Sequence, residues 1–214
     1  MRRTAVTAGV LFLVTEVAAI AGAVLYRPLL GGAGAGADGR AVLGALCELV
    51  LVAAVAGTGV TLFPVVRRWG QTAALGYLCA RVMEAVLILL GIVAVLALVT
   101  LRREPGGPGA AAADTALVAV HDWTFLLGPN LALGLNTALL AGLMYRSRLV
   151  PRPIAVLGLA GGPLICASAV AVMSGLYAQL SLPGSLAALP VFAWEVSLAV
   201  WLVARGFRPA VTPR

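Results

Sequence analysis

Few residues of this chain can do chemistry, and most of those stand in apolar surroundings. The densest group is His121-Asp122-Trp123-Thr124-Phe125-Leu126-Leu127-Gly128-Pro129-Asn130, which puts the only histidine, a carboxylate, a proline break and an amide into one segment. Glu16, Glu48, Glu84 and Glu195 each interrupt a different apolar run, Arg81 precedes Glu84 by three residues, and Asn136 extends the polar side below the proline. These residue types offer three chemistries. An imidazole beside a carboxylate is an acid/base couple or a metal ligand with an outer partner. Carboxyl groups in apolar surroundings take up protons, pair, or bind a cation. An arginine three residues before a glutamate shares a helical face with it and can neutralise it.

Each of these has a plainer structural reading. Arg81 with Glu84 is most simply an ion pair tying helices together. His121 and Asp122 project about 100° apart on a helix, which places Asp122 poorly to hold its neighbour's ring and favours a capping or interhelical hydrogen-bond role. A neutral carboxylic acid hydrogen-bonded across helices accounts for a buried glutamate without any ligand. Trp123, Trp194 and Trp201 read as packing or interfacial residues. Cys47, Cys79 and Cys166 sit singly in apolar runs, with no Cys-x-x-Cys spacing and no second histidine. They read as small core residues, and no metal, cofactor or catalytic residue is assigned.

The elements that must carry these groups follow from composition. Apolar residues make up 62% and charged residues 11% of the chain, and continuous apolar runs of roughly 20 residues are each long enough to cross a ~30 Å hydrocarbon core. Strands of a membrane barrel would alternate polar and apolar instead. The pattern predicts an all-α integral membrane bundle forming a single membrane domain over 1–214. Its six transmembrane helices fall at about 4–26, 41–66, 72–101, 115–145, 154–177 and 186–204. A Gly/Ala-rich stretch, 31–39, reads as a flexible external loop, and a Gly/Pro-rich break, 102–113, separates the halves. Pro129 removes a backbone donor and frees the Phe125 carbonyl, so Gly128 and Pro129 are read as a hinge, with Asn130 helping to satisfy what is freed. Gly158 and Gly162 give the fifth span a small-residue packing face. Ala21-Gly22-Ala23 resembles a cleavage site, but Glu16 interrupts the apolar core that a signal peptide needs.

All fifteen cations are arginines and none forms a basic cluster interleaved with aromatics, which excludes nucleic acid as a partner. They report topology instead. Arg2, Arg3, Arg67, Arg68, Arg146, Arg148, Arg152, Arg205, Arg208 and Arg214 fall on the side of the termini, and only Arg27, Arg40, Arg102 and Arg103 fall opposite. The excess places both termini in the cytoplasm of a multi-pass protein of the cell membrane, with Asp38, Glu104 and Asp114 outside. At that orientation Glu16, Glu84, Asn130 and Glu195 lie mid-membrane, and Glu48, His121 and Asp122 lie in the outer half. Asp122 and Asn136 fall near one face of an ideal helix. The expected picture is a polar cavity that opens outward and is floored by Arg81 and Glu84.

A set of motifs carries a family resemblance: Ala8-Gly9-Val10-Leu11-Phe12-Leu13, Phe63-Pro64-Val65, Arg81 to Glu84, His121 to Pro129, Tyr145-Arg146-Ser147-Arg148-Leu149-Val150-Pro151, and Leu189-Pro190 through Trp194-Glu195 to Gly206-Phe207. On these the chain resembles the prokaryotic multi-pass membrane proteins of domain of unknown function 4386. The resemblance implies six membrane helices and brings no activity. Three functions fit the residues. The first is a non-catalytic membrane component or partner subunit whose charges fix helix register. The second is a small transporter or sensor linked to protons, a cation or a small ligand, and the third an intramembrane enzyme acting on a lipid-like substrate. A central carboxylate costs on the order of 2.5–3.5 kcal/mol even on insertion scales, so the acids must face the bundle interior rather than lipid.

Overall fold

The structure is a computed structural model that describes residues 1–32, 37–103 and 109–209. It is all-helical over those residues, and six helical stretches are long and apolar enough to cross a membrane. They are α1 (Arg2–Leu30), α2 (Ala37–Val66), α3 (Gln71–Arg103), a fourth stretch built of α4 (Ala110–Leu126), a π-helical segment (Leu127–Ala132) and α5 (Leu133–Ser147), then α6 (Arg152–Met173) and α7 (Leu182–Ala204). Glu104 and Arg214 lie outside the described residues, as does much of the glycine-rich stretch after α1.

Several expected boundaries shift for local reasons. Helix α1 continues through Pro28 to Leu30, and α2 already includes Asp38, whose carboxylate suits the positive end of the helix dipole. The stretch 31–39 is therefore a loop only in part. The fourth span starts at Ala110 rather than 115. The fifth stops at Met173 rather than 177, because Gly175 takes φ 75° and the chain folds back, with the Tyr177 hydroxyl donating to Ser168 Oγ at 2.9 Å. Helix α7 opens on Ser181, whose Oγ accepts from the Gly184 amide.

Each span packs on its sequence neighbours, and α1 packs on α7, so the six form a closed ring. The two ends of the ring differ. Near the termini all spans join one core, with Phe12 from α1, Leu62 from α2, Tyr77 from α3, Met144 from α5, Ala155 from α6 and Trp194 and Leu198 from α7. Toward the other end only α1, α2 and α3 share a core, around Tyr26, Ala45, Val55, Ile88 and Val95, with Leu117 and Val118 of α4 laid against it. Helices α6 and α7 contribute nothing to that second core. Leu176, Leu180, Leu182 and Leu186 are correspondingly exposed, and the bundle is open there.

Small residues let the closed end approach at backbone distance. A Cβ built on Gly134 would stand 2.5 Å from Cys166 Sγ and 2.7 Å from the Gly162 carbonyl oxygen, and one on Gly158 would meet Ala141 and the Trp194 ring. The small-residue face expected of α6 is thus where α5 and α7 close on it. Replacing Gly134 by valine is expected to destabilise the bundle by roughly 1–3 kcal/mol through overpacking. Gly39→Ala, with no neighbour within 4 Å, is expected to leave stability unchanged or slightly higher. Unfolding midpoints of the two variants in mild detergent check the contrast, and equal midpoints would contradict the packing described.

Candidate functional site

Where the two cores meet, α3 presents Arg81 to the ring's interior. Gly59 of α2 clears the way, since a Cβ there would stand 3.3 Å from the Arg81 Cβ. The guanidinium lies 5.0 Å above the Phe12 ring and 6.0 Å from that of Tyr77, an arrangement that offers cation–π attraction on its closed-end side. Two carboxylates flank its terminal nitrogens. One Arg81 terminal nitrogen donates to Glu84 Oε2 at 3.2 Å and the other to Glu195 Oε1 of α7 at 2.7 Å. Asn136 of α5 donates to the same Glu84 oxygen at 2.8 Å and to the Ala132 carbonyl at 2.9 Å. Arg81, Glu84, Glu195 and Asn136 are all buried, so one network ties α3, α5 and α7. Sequence spacing finds the Arg81–Glu84 pair; the shorter bond to Glu195, 114 residues away, has no local signal beyond matching depth.

Above this network lies a cavity of about 120 Å³, lined among others by Glu16, Glu48, Arg81, Glu84, His121, Pro129 and Glu195. Glutamates from α1, α2, α3 and α7 therefore converge on one space. Glu84 and Glu195 are held by Arg81. Glu16 and Glu48 have no hydrogen-bonded cation among the described residues. Glu48 lies across Gly22 of α1, where a Cβ would come within 2.8 Å of its chain. The glycine is what lets the carboxyl reach inward.

His121 and Asp122 depart from expectation. His121 Nδ1 and Asp122 Oδ1 are 3.2 Å apart, so neighbouring side chains do meet; both bend toward each other at the helix surface, where the 100° offset of their Cβ atoms is easily spanned. No interhelical hydrogen bond to His121 is found among the described residues. Its ring is instead stacked on Phe125, 7° from parallel, and set edge-on to Tyr26 of α1. Gly91 of α3 leaves the space in which Thr124 and His121 approach. Asp122 is 65% exposed at its side chain and does not line the inner cavity.

The proline break takes the form of a π-helical segment, Leu127–Ala132, and Gly128 brings it within contact of Leu87 and the Glu84 carbonyl. A π turn accommodates an extra residue, and each extra residue rotates the following face by about 100°. That rotation is why Asp122 and Asn136, close to one face on an ideal helix, point to different places: Asp122 outward, Asn136 to Glu84. Asn130 is not brought to the site; its side chain has no hydrogen bond among the described residues, and Asn136 takes the inward role. Pro129 lines the cavity wall.

A second, larger cavity of about 740 Å³ adjoins the first and shares Glu48, His121 and Phe125 with it. It lies between α1, α4 and the turn that joins α6 to α7. At the same end Arg102 grips Asp114 at 2.5 and 2.9 Å and donates to the Leu29 carbonyl at 2.7 Å, while Arg103 meets Asp38 at 2.9 Å. The loop acids and arginines, topology markers by their distribution, thus also staple α1, α2, α3 and α4 together. Among the described residues, no three His, Cys, Asp or Glu side chains cluster at metal-ligand spacing.

Domain of unknown function 4386 matches residues 7–206, and the chain belongs to that family. It is a membrane protein by its six apolar spans. No curated protein and no solved structure matches it.

The triad makes a sharp energetic prediction. Arg81→Met leaves Glu84 and Glu195 buried without their counter-charge and is expected to cost about 3–5 kcal/mol. Adding Glu84→Gln and Glu195→Gln to the same chain is expected to recover much of that loss, because neutral amides no longer need the guanidinium. Denaturation of the single and triple variants in detergent reads the coupling, and strictly additive losses would contradict a shared network.

Proposed function

We propose that this protein binds a proton or a small cation inside the membrane and works as a small transporter or a ligand-responsive sensor. The observation that supports this reading is the convergence of Glu16, Glu48, Glu84 and Glu195, from four different spans, on one cavity. Arg81 is bonded to only two of them. Desolvated carboxyls without a protein cation are balanced by protons or by a cation from outside. Packing alone requires neither Glu16 nor Glu48. The shared wall between the inner and outer cavities supplies a route from one end of the bundle, while the joint core near the termini closes the other. Pro129 lines the inner cavity and belongs to the π segment that interrupts the fourth span, and such segments are frequent at functional positions.

A structural role, as a non-catalytic component or partner subunit, is the reading favoured by the Arg81 triad taken alone, since paired buried charges can set helix register. It gives Glu48 a partner in the Tyr26 hydroxyl and Glu16 one in Glu195, but a bonded cation to neither among the described residues. On arginine distribution we place the protein in the cell membrane with both termini in the cytoplasm, so that the open end of the ring faces outward.

Reconstituted vesicles under an imposed pH or cation gradient test the reading. The protein is expected to dissipate the gradient or to bind the driving ion, and Glu16→Gln and Glu48→Gln are each expected to reduce this by about tenfold or more, roughly 1.4 kcal/mol. Vesicles as tight as protein-free ones, with no ion bound, would remove the proposal in favour of the structural role. Reporter fusions at the C-terminus and cysteine labelling at Gly39 check the orientation: the first is expected on the cytoplasmic side and the second outside.

A further inference from the structure

The outer cavity has a chemical character of its own. Its volume of about 740 Å³ lies in the range of small-molecule sites. Four aromatic residues line it, Tyr26, Trp123, Phe125 and Tyr177, together with two carboxylates, Glu48 and Asp122, and apolar side chains such as Ile20, Val24 and Val172. Aromatic faces beside carboxylates attract a cation that sheds its water easily, and apolar walls accept a hydrocarbon attached to it. The Tyr26 hydroxyl adds a polar group to the Glu48 side of the chamber. Tyr26 is only 1% exposed and lines the chamber with its hydroxyl within reach of the Glu48 carboxyl. Buried hydroxyls are ordinarily paired.

Entry and polarity agree with this chemistry. Helices α1 and α4 meet through Tyr26 and His121, and beyond that contact the chamber lies between them. Trp123, 50% exposed, and Val24, 49% exposed, edge the chamber. Arg27 also lines the chamber but is exposed, and a long arginine stem can carry its charge toward the membrane surface and away from a bound cation. Glu48 belongs to both cavities, which puts a carboxyl where the chamber meets the charged interior.

We infer that the outer chamber is a binding site for an amphipathic organic cation, an alkylammonium whose charged head sits among Glu48, Asp122 and the aromatic residues and whose chain lies along α1. This rests on the cation-linked reading above and names its ligand class. Fixed-charge probes isolate the chemistry: hexyltrimethylammonium, and its neutral isostere in which carbon replaces the quaternary nitrogen. Binding of each to the full chain in lipid nanodiscs is measured by equilibrium dialysis against protein-free nanodiscs.

Saturable binding of the cation is expected, with the isostere weaker by about tenfold or more. Glu48→Gln, which keeps the packing over Gly22, and Trp123→Ala, at a half-exposed position, are each expected to weaken the cation by a similar factor while leaving the isostere's binding unchanged for Glu48→Gln. Equal binding of cation and isostere, or variants that bind the cation as well as the parent, would overturn the inference and make the chamber a lipid-filled gap. The outcomes separate the two proposals. Ion movement in vesicles without saturable cation binding overturns the ligand class alone. Saturable, Glu48-dependent binding without ion movement upholds the chamber and removes transport.

Discussion

A single guanidinium, buried in the plane where two unequal cores meet, is the constraint on which the rest of the molecule depends. Arg81 cannot be left without anions in an apolar interior, and its two partners come from its own helix and from α7. Satisfying it fixes the rotation of α3 and draws α7 inward at that depth. Asn136 then recruits α5 through Glu84. The joint core toward the termini is what apolar packing builds below this level; above it only α1, α2 and α3 pack together, with α4 laid against them, and the bundle stays open.

The opening is thus a consequence of how apolar surface is distributed among the spans. Helices α1 to α3 carry enough small and branched residues at the end away from the termini to pack on one another. The ends of α6 and α7 away from the termini carry large apolar residues that stay exposed and, in a bilayer, meet lipid at little cost. Arg102 and Arg103 secure the packed side through Asp114, Asp38 and the Leu29 carbonyl. An asymmetric bundle results, braced on one side of the cavity and loosely walled on the other.

Within that frame the acidic residues divide by partner. Glu84 and Glu195 belong to the arginine and are explained by it. Glu16 and Glu48 face the cavity without a bonded cation among the described residues. His121, the residue most suggestive of catalysis in the sequence, is held by Phe125, Tyr26 and Asp122 at the boundary between the two cavities.

The membrane class, the six spans and the identity of the polar residues were all determined by sequence, because continuous apolar runs and intramembrane charges have no other stable reading in a chain of this composition. The i, i+3 pairing of Arg81 with Glu84 was legible for the same reason that any helical face is. The Arg81–Glu195 bond, the convergence of four glutamates on one cavity and the second chamber depended on how distant helices rotate and tilt against each other, which no local spacing encodes. The π segment shows the reason most plainly. Pro129 announced a break, but the rotation that sent Asp122 outward and Asn136 to Glu84 was decided by Gly128 packing against α3, a contact that exists only once the helices are assembled.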